Sequence, residues 1–145
     1  MILQEILNAK GTTVYTIRPD ATLQDVVYRL VHHKVGSLVV TADGERDGQV
    51  VGIITERDIL RACASERGPL SSIPVSDVMS TRLLTGRPDG TIEDAMGLMT
   101  DNRIRHLPVV SRGKLSGIVS IGDVVKAQHD HLAMENRFMK DYIRG

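Results

Sequence analysis

The chain has 145 residues, a length that allows one ordinary domain or two very small ones. It is 41% hydrophobic and 25% charged, enough to bury a core, and its 18 basic residues balance 18 acidic ones, which argues against general nucleic-acid binding and a polybasic membrane surface. Aromatics at 3% leave no platform for stacking bases, and the single Cys63 excludes an internal disulfide or a multi-cysteine zinc site.

The first predicted element is a short amphipathic helix, with Ile2, Leu3, Ile6 and Leu7 on one stripe that ends before Gly11. Glu5 stands where a secretory signal would carry basic residues, and no apolar run approaches the roughly 20 residues that span a bilayer. The expected setting is therefore the cytoplasm, where a lone cysteine stays reduced. After a short strand before Arg18, Thr22 caps a helix with apolar residues at Leu23, Val26, Val27, Leu30 and Val31. A strand from Val35 to Val40, a polar loop from Ala42 to Gly48 and a second strand from Val50 to Thr55 follow. A second helix begins near Asp58, with Cys63 expected as a small core residue.

The same order then repeats. Arg18-Pro19-Asp20-Ala21-Thr22-Leu23-Gln24-Asp25 returns as Arg87-Pro88-Asp89-Gly90-Thr91-Ile92-Glu93-Asp94, 69 residues on. Gly52-Ile53-Ile54-Thr55-Glu56-Arg57-Asp58 returns as Gly117-Ile118-Val119-Ser120-Ile121-Gly122-Asp123, 65 residues on. The shortfall falls in the hairpin loop, where Ser111-Arg112-Gly113-Lys114 replaces the longer polar loop of the first copy. In the second copy the helix keeps its phase through Ile92, Ala95, Met96 and Met99, and the strands run from Ile104 to Val110 and from Leu115 to Ser120. Pro108, with no amide hydrogen, requires its strand to lie at an edge or to bond on one side only there.

Each copy thus reads β-α-β-β-α. A unit of 50–60 residues is too small to bury enough surface comfortably alone, so the expected fold is α+β, with two tandem repeats packed as one pseudo-two-fold module. The repeats occupy 8–64 and 83–130, joined by a linker and lead-in at 65–82. The N-terminal stripe and a C-terminal helix over 131–145, carrying Leu132, Phe138, Met139, Tyr142 and Ile143, flank them. Either they cap the core or they build a homodimer seam.

Thr55-x-x-Asp58 and Ser120-x-x-Asp123 are the residues most suited to chemistry. Their spacing is that of a capping box, and Thr22-x-x-Asp25 and Thr91-x-x-Asp94 share it. Their context differs, because each lies where a strand ends and a helix begins, the place where α/β arrangements gather anionic ligands. A carboxylate there suits the vicinal diol of a ribose. Metal chelation by His32-His33 or His129-x-His131 is not expected from the spacing, and Lys34 and Arg103 read as solvated helix ends. No phosphate-binding glycine loop or nucleophile elbow is present.

The tandem copies, each closing on Gly-hydrophobic-hydrophobic-Thr/Ser-x-x-Asp, resemble a pair of cystathionine β-synthase-type (CBS) domains, or Bateman module. Val75-Ser76-Asp77-Val78-Met79-Ser80 resembles the lead-in to the second copy. The resemblance covers residues 8–128. It implies a non-catalytic, energy-sensing regulatory module that binds adenosine compounds (AMP, ADP, ATP, S-adenosylmethionine or NAD) without a metal. It further implies a homodimer and a protein effector acted on in trans, with no nucleic acid or membrane partner. A structural or interaction module with vestigial clefts is the alternative.

Carried over residue by residue, the resemblance implies two clefts between the copies, each pairing one copy's Thr/Ser-x-x-Asp with the other copy's entry strand. The first uses Thr55, Arg57 and Asp58, with Ser80, Thr81, Arg82 and Leu83 beside the base. There Asp58 takes the ribose hydroxyls, Thr55 a ribose or phosphate oxygen, and Arg57 the phosphate. The second uses Ser120 and Asp123, with Lys10, Gly11, Thr12 and Val14 at its mouth, Val35, Gly36 and Ser37 offering backbone to adenine, and Arg105 and His106 near the phosphates. Gly122 stands where the first copy has Arg57, so the two clefts are expected to be unequal.

Overall fold

A computed structural model describes residues 1–144, so Gly145, the last residue of the expected C-terminal helix, lies outside the described residues. The elements are α1 (Leu3–Lys10), β1 (Thr16–Ile17), α2 (Leu23–His33), β2 (Ser37–Thr41), β3 (Val50–Thr55), α3 (Glu56–Ala64), α4 (Ile92–Asn102), β4 (His106–Ser111), β5 (Lys114–Ser120) and α5 (Ile121–Arg144). Two short 3-10 turns, Leu70–Ser72 and Val75–Asp77, punctuate the linker. The chain divides into two units that interleave in sequence. One holds Thr13–Leu84 and Arg112–Leu115; the other holds Met1–Thr12, Thr85–Ser111 and Ser116 onward.

In the unit of the first copy, β1 pairs parallel with β2 and β2 antiparallel with β3, with Ser37 opposite Thr55. Thr22 accepts from the Asp25 amide and opens α2, whose Leu23, Val26 and Leu30 are buried. They pack with Ile17, Leu38, Val40, Ile54, Ile59 and the linker residues Ile73 and Val75. In the other unit β4 pairs with β5, and Leu3, Ile6 and Leu7 of α1 are buried together with Ile92, Met99, Leu107, Val119 and Val124. Thr91 accepts from the Asp94 amide and opens α4. The entry strand expected before Arg87 is reduced here to one bridge, Gly86 to Val109. Pro108 contributes only its carbonyl on that side, accepting from the Gly86 amide at 2.9 Å.

Both strands that follow the first helices start two residues later than their apolar runs suggest. The cause is the same in each copy. Lys34 and Arg103 are left-handed (φ 56° and 55°), and the next amides, of Val35 and Ile104, still donate to Leu30 and Met99. These helix-terminating bonds keep the chain wound past the cap before it can extend.

Three further expectations are corrected. Cys63 is exposed, because Ile59 and Ala62 take the buried positions of α3. Val31, at the margin of the α2 stripe, is 73% exposed. The C-terminal segment is not a separate helix, since α5 runs unbroken for 24 residues from Ile121, with no proline to stop it and no glycine beyond its second position. Leu132, Phe138, Met139, Tyr142 and Ile143 are all exposed, so α1 covers a core while this stretch does not.

Backbone pairing extends the repeat further than the side chains do. Leu23, Val75 and Ser76 donate to Ile73, Ala21 and Pro19. Ile92, Leu3 and Gln4 donate in the same way to Met1, Gly90 and Pro88. The first residues of the chain therefore do for the second copy what linker residues 73–76 do for the first.

Candidate functional site

Each unit places one Thr/Ser-x-x-Asp at the end of a strand and the start of a helix. In the first copy, Asp58 Oδ2 accepts from the Thr55 amide at 2.9 Å and from the Thr55 hydroxyl at 3.2 Å. The Asp58 amide donates back to Thr55 Oγ1 at 3.4 Å. In the second, Asp123 Oδ2 accepts from the Ser120 amide at 2.8 Å and the Asp123 amide donates to Ser120 Oγ at 3.0 Å. Both pairs are capping boxes, closed on the same pattern as Thr22 and Asp25. What sets them apart is the neighbouring strand. The carbonyls of Gly36 and Arg105 accept from the first helical amides, Glu56 at 3.1 Å and Ile121 at 2.8 Å. The carboxyl end of one strand (β3 or β5), the amino end of its antiparallel neighbour (β2 or β4) and a helix N-terminus thus meet at each aspartate.

The third wall differs between the copies. Beside Asp58, the lead-in at Ser80 bridges to β3, its amide and carbonyl exchanging bonds with Ile53 at 2.9 and 3.0 Å. Gly52 permits this approach, since a Cβ there would stand 2.9 Å from the Ser80 carbonyl oxygen and 2.7 Å from Met79 Sδ. In the second copy Gly117 holds the matching place, and a Cβ there would meet Leu7 of α1 at 2.6 Å. Here the chain stays helical to Lys10, beside the carbonyl of Ile118, the residue that matches Ile53. The Lys10 ammonium donates to that carbonyl at 3.0 Å and to Asp123 Oδ2 at 2.6 Å. Burial alone would push the Asp123 carboxyl up. The Lys10 ammonium and the Ser120 amide and hydroxyl outweigh it and hold the group below its ordinary value.

The expected residues therefore sort by unit. Thr55, Arg57, Asp58, Ser80, Thr81, Arg82 and Leu83 lie in the unit of the first copy. Lys10, Gly11, Thr12, Arg105, His106, Ser120 and Asp123 lie in the other. Val14, Val35, Gly36 and Ser37, expected at the second cleft, lie in the unit of Thr55 and Asp58, where Ser37 pairs with Thr55. Sequence reasoning also missed the Ile118 carbonyl and the roles of Met79 and Leu7. The two glycines that open the Gly-Ile-Ile and Gly-Ile-Val runs were the available signal, as a strand glycine often marks a close approach.

A largely apolar groove of about 480 Å³ runs between α2 and α3, lined by Val27, Leu30, Val31, Val35, Ile59 and Leu60. Its wall also takes in Lys34 and, beside the Thr55–Asp58 cap, Gly36 and Glu56, but neither Asp58 nor residues 80–83, and most of it is aliphatic.

A family model for the CBS domain matches this chain twice, over residues 10–65 and 75–130. The chain belongs to the CBS-domain family and carries a tandem CBS fold. A mitochondrial CBS domain-containing protein of Arabidopsis thaliana, CBSX3, is 43% identical over 150 aligned positions that take in 99% of this chain and 72% of that protein. The crystal structure of a CBS-domain containing protein from Agrobacterium tumefaciens superposes with a TM-score of 0.81 at 39% identity, covering 88% of this chain and 99% of that one. The CBS domain pair of protein MJ0100 shares the fold at a TM-score of 0.77 and 21% identity, covering 90% and 98%; that protein was crystallised with 5′-methylthioadenosine and S-adenosylmethionine. Among the described residues, no helix is long and apolar enough to cross a membrane.

Proposed function

We propose that this CBS pair is a non-catalytic, cytoplasmic regulatory module that senses adenosine compounds (AMP, ADP, ATP, NAD or S-adenosylmethionine) through Asp58 and Asp123. The observation that carries the reading is the recurrence, in both units, of a carboxylate set where a helix N-terminus meets the ends of strands. A ribose diol would take one aspartate, and the base would lie along strand backbone, at Ser80–Leu83 in the first copy. Arg57 in that copy, and Arg105 and His106 in the other, would face the phosphates. Two further parts of the proposal rest on exposed apolar surface. The groove between α2 and α3, flanked by Val31 and Leu60, would bury itself in a homodimer. Phe138 and Tyr142 on α5 would serve the same dimer or a protein effector in trans.

A second reading, a structural module with vestigial clefts, is favoured by one fact: Asp58 and Asp123 close capping boxes as Asp25 does. A thermal-shift panel separates the two. AMP, ADP, ATP, NAD and S-adenosylmethionine at 1 mM, with GMP as control, test whether any adenosine compound raises the melting temperature by mass action. A rise of several degrees with at least one of them, and none with GMP, is the expected result. No rise with any of the five leaves the structural reading.

A further inference from the structure

We infer that Lys10 makes the second site selective for adenosine compounds that carry phosphate; this rests on the nucleotide reading above. In the first copy Arg57 follows Thr55 by two residues; in the second that place is Gly122, which supplies no cation. Lys10 brings one back from α1, a different element. Its ammonium is held by the Asp123 carboxylate and the Ile118 carbonyl, the groups that a ribose and a base would need. The pair is only part-buried, with side chains 36% and 26% exposed, so Lys10 has room to swing.

A neutral nucleoside entering this site must break the Lys10–Asp123 pair and offers the ammonium only neutral acceptors in return. A phosphate-bearing ligand offers a second anion. Lys10 would move from the carboxylate to the phosphate, and Asp123 would be released to accept the diol. Ribose and phosphate recognition are thereby coupled through one side chain. At the first site the described bonds of Asp58 are to its own cap, and the phosphate donor Arg57 is a separate residue. Among the described bonds, none ties Asp58 to a phosphate donor as Lys10 ties Asp123.

The test follows the amides of Thr55 and Ser120 by heteronuclear NMR in the full chain, titrated with adenosine and with AMP. In wild type, AMP is expected to shift both amides, and adenosine to bind the Ser120 site about tenfold more weakly than AMP, the scale of one charge-assisted contact. Lys10→Met should bring that preference to within about threefold by strengthening adenosine binding, and Lys10→Arg should retain it. The untouched remainder of the spectrum reports that the variants fold. An unchanged preference in Lys10→Met overturns the inference, as does AMP shifting Thr55 alone in every variant, while the first site still stands. If neither ligand moves either amide, this inference fails, and the nucleotide reading fails with it where none of the five compounds raises the melting temperature.

Discussion

Replacing Asp58 and Asp123 together by asparagine abolishes the stabilisation that an adenosine compound gives the wild-type chain, while the unliganded protein stays folded. A ligand at about 100 times its Kd adds about 2.7 kcal/mol per site by mass action, or roughly 5–10 °C in a chain of this size. Asparagine keeps a carbonyl oxygen for the Thr55 or Ser120 amide, so each capping box loses charge but not shape. The unliganded cost is about 1 kcal/mol per site. The sugar loses far more, because an amide offers a diol one acceptor where a carboxylate offers two. Each single substitution should remove one site's share. A double variant that melts lower yet keeps the full ligand shift would reduce both aspartates to caps.

The second large effect concerns packing. Gly52→Ala should destabilise the chain by about 2–3 kcal/mol, and Gly117→Ala by about 1 kcal/mol, read as the change in urea midpoint at constant slope. The two glycines hold the same place in the repeat, and a methyl group at either would stand under 3 Å from its neighbours. The neighbours differ in kind. At Gly52 they include the carbonyl oxygen of Ser80, a residue fixed by two backbone bonds to Ile53, so relief requires the lead-in to leave β3. At Gly117 they are the terminal carbons of Leu7, which can turn within α1's packing. Equal costs at the two positions would contradict this account of how the lead-in is held.

The contrast shows what could be read from residues alone. The repeat, the capping threonines, the hairpins and both Thr/Ser-x-x-Asp pairs were legible, because each depends on residue types at short spacing. The repeat of residues 73–76 at the N-terminus was not, since Ile73-Pro74-Val75-Ser76 and Met1-Ile2-Leu3-Gln4 share backbone donors and acceptors rather than side chains. The Lys10–Asp123 pair spans 113 residues, and only the folded chain brings its partners together. Periodicity placed Val31 and Cys63 with buried faces that α2 and α3 leave open. It identifies a stripe but not what covers it.

The central claim is that the duplicated fold supplies two adenosine sites, one in each unit, unequal in their charge. Isothermal titration of the wild-type chain with AMP tests it most directly. The account predicts two binding events per chain with different affinities, of which Asp58→Asn removes one and Asp123→Asn the other. Heat from a single event that survives in the double variant, or no binding at millimolar AMP, would contradict it.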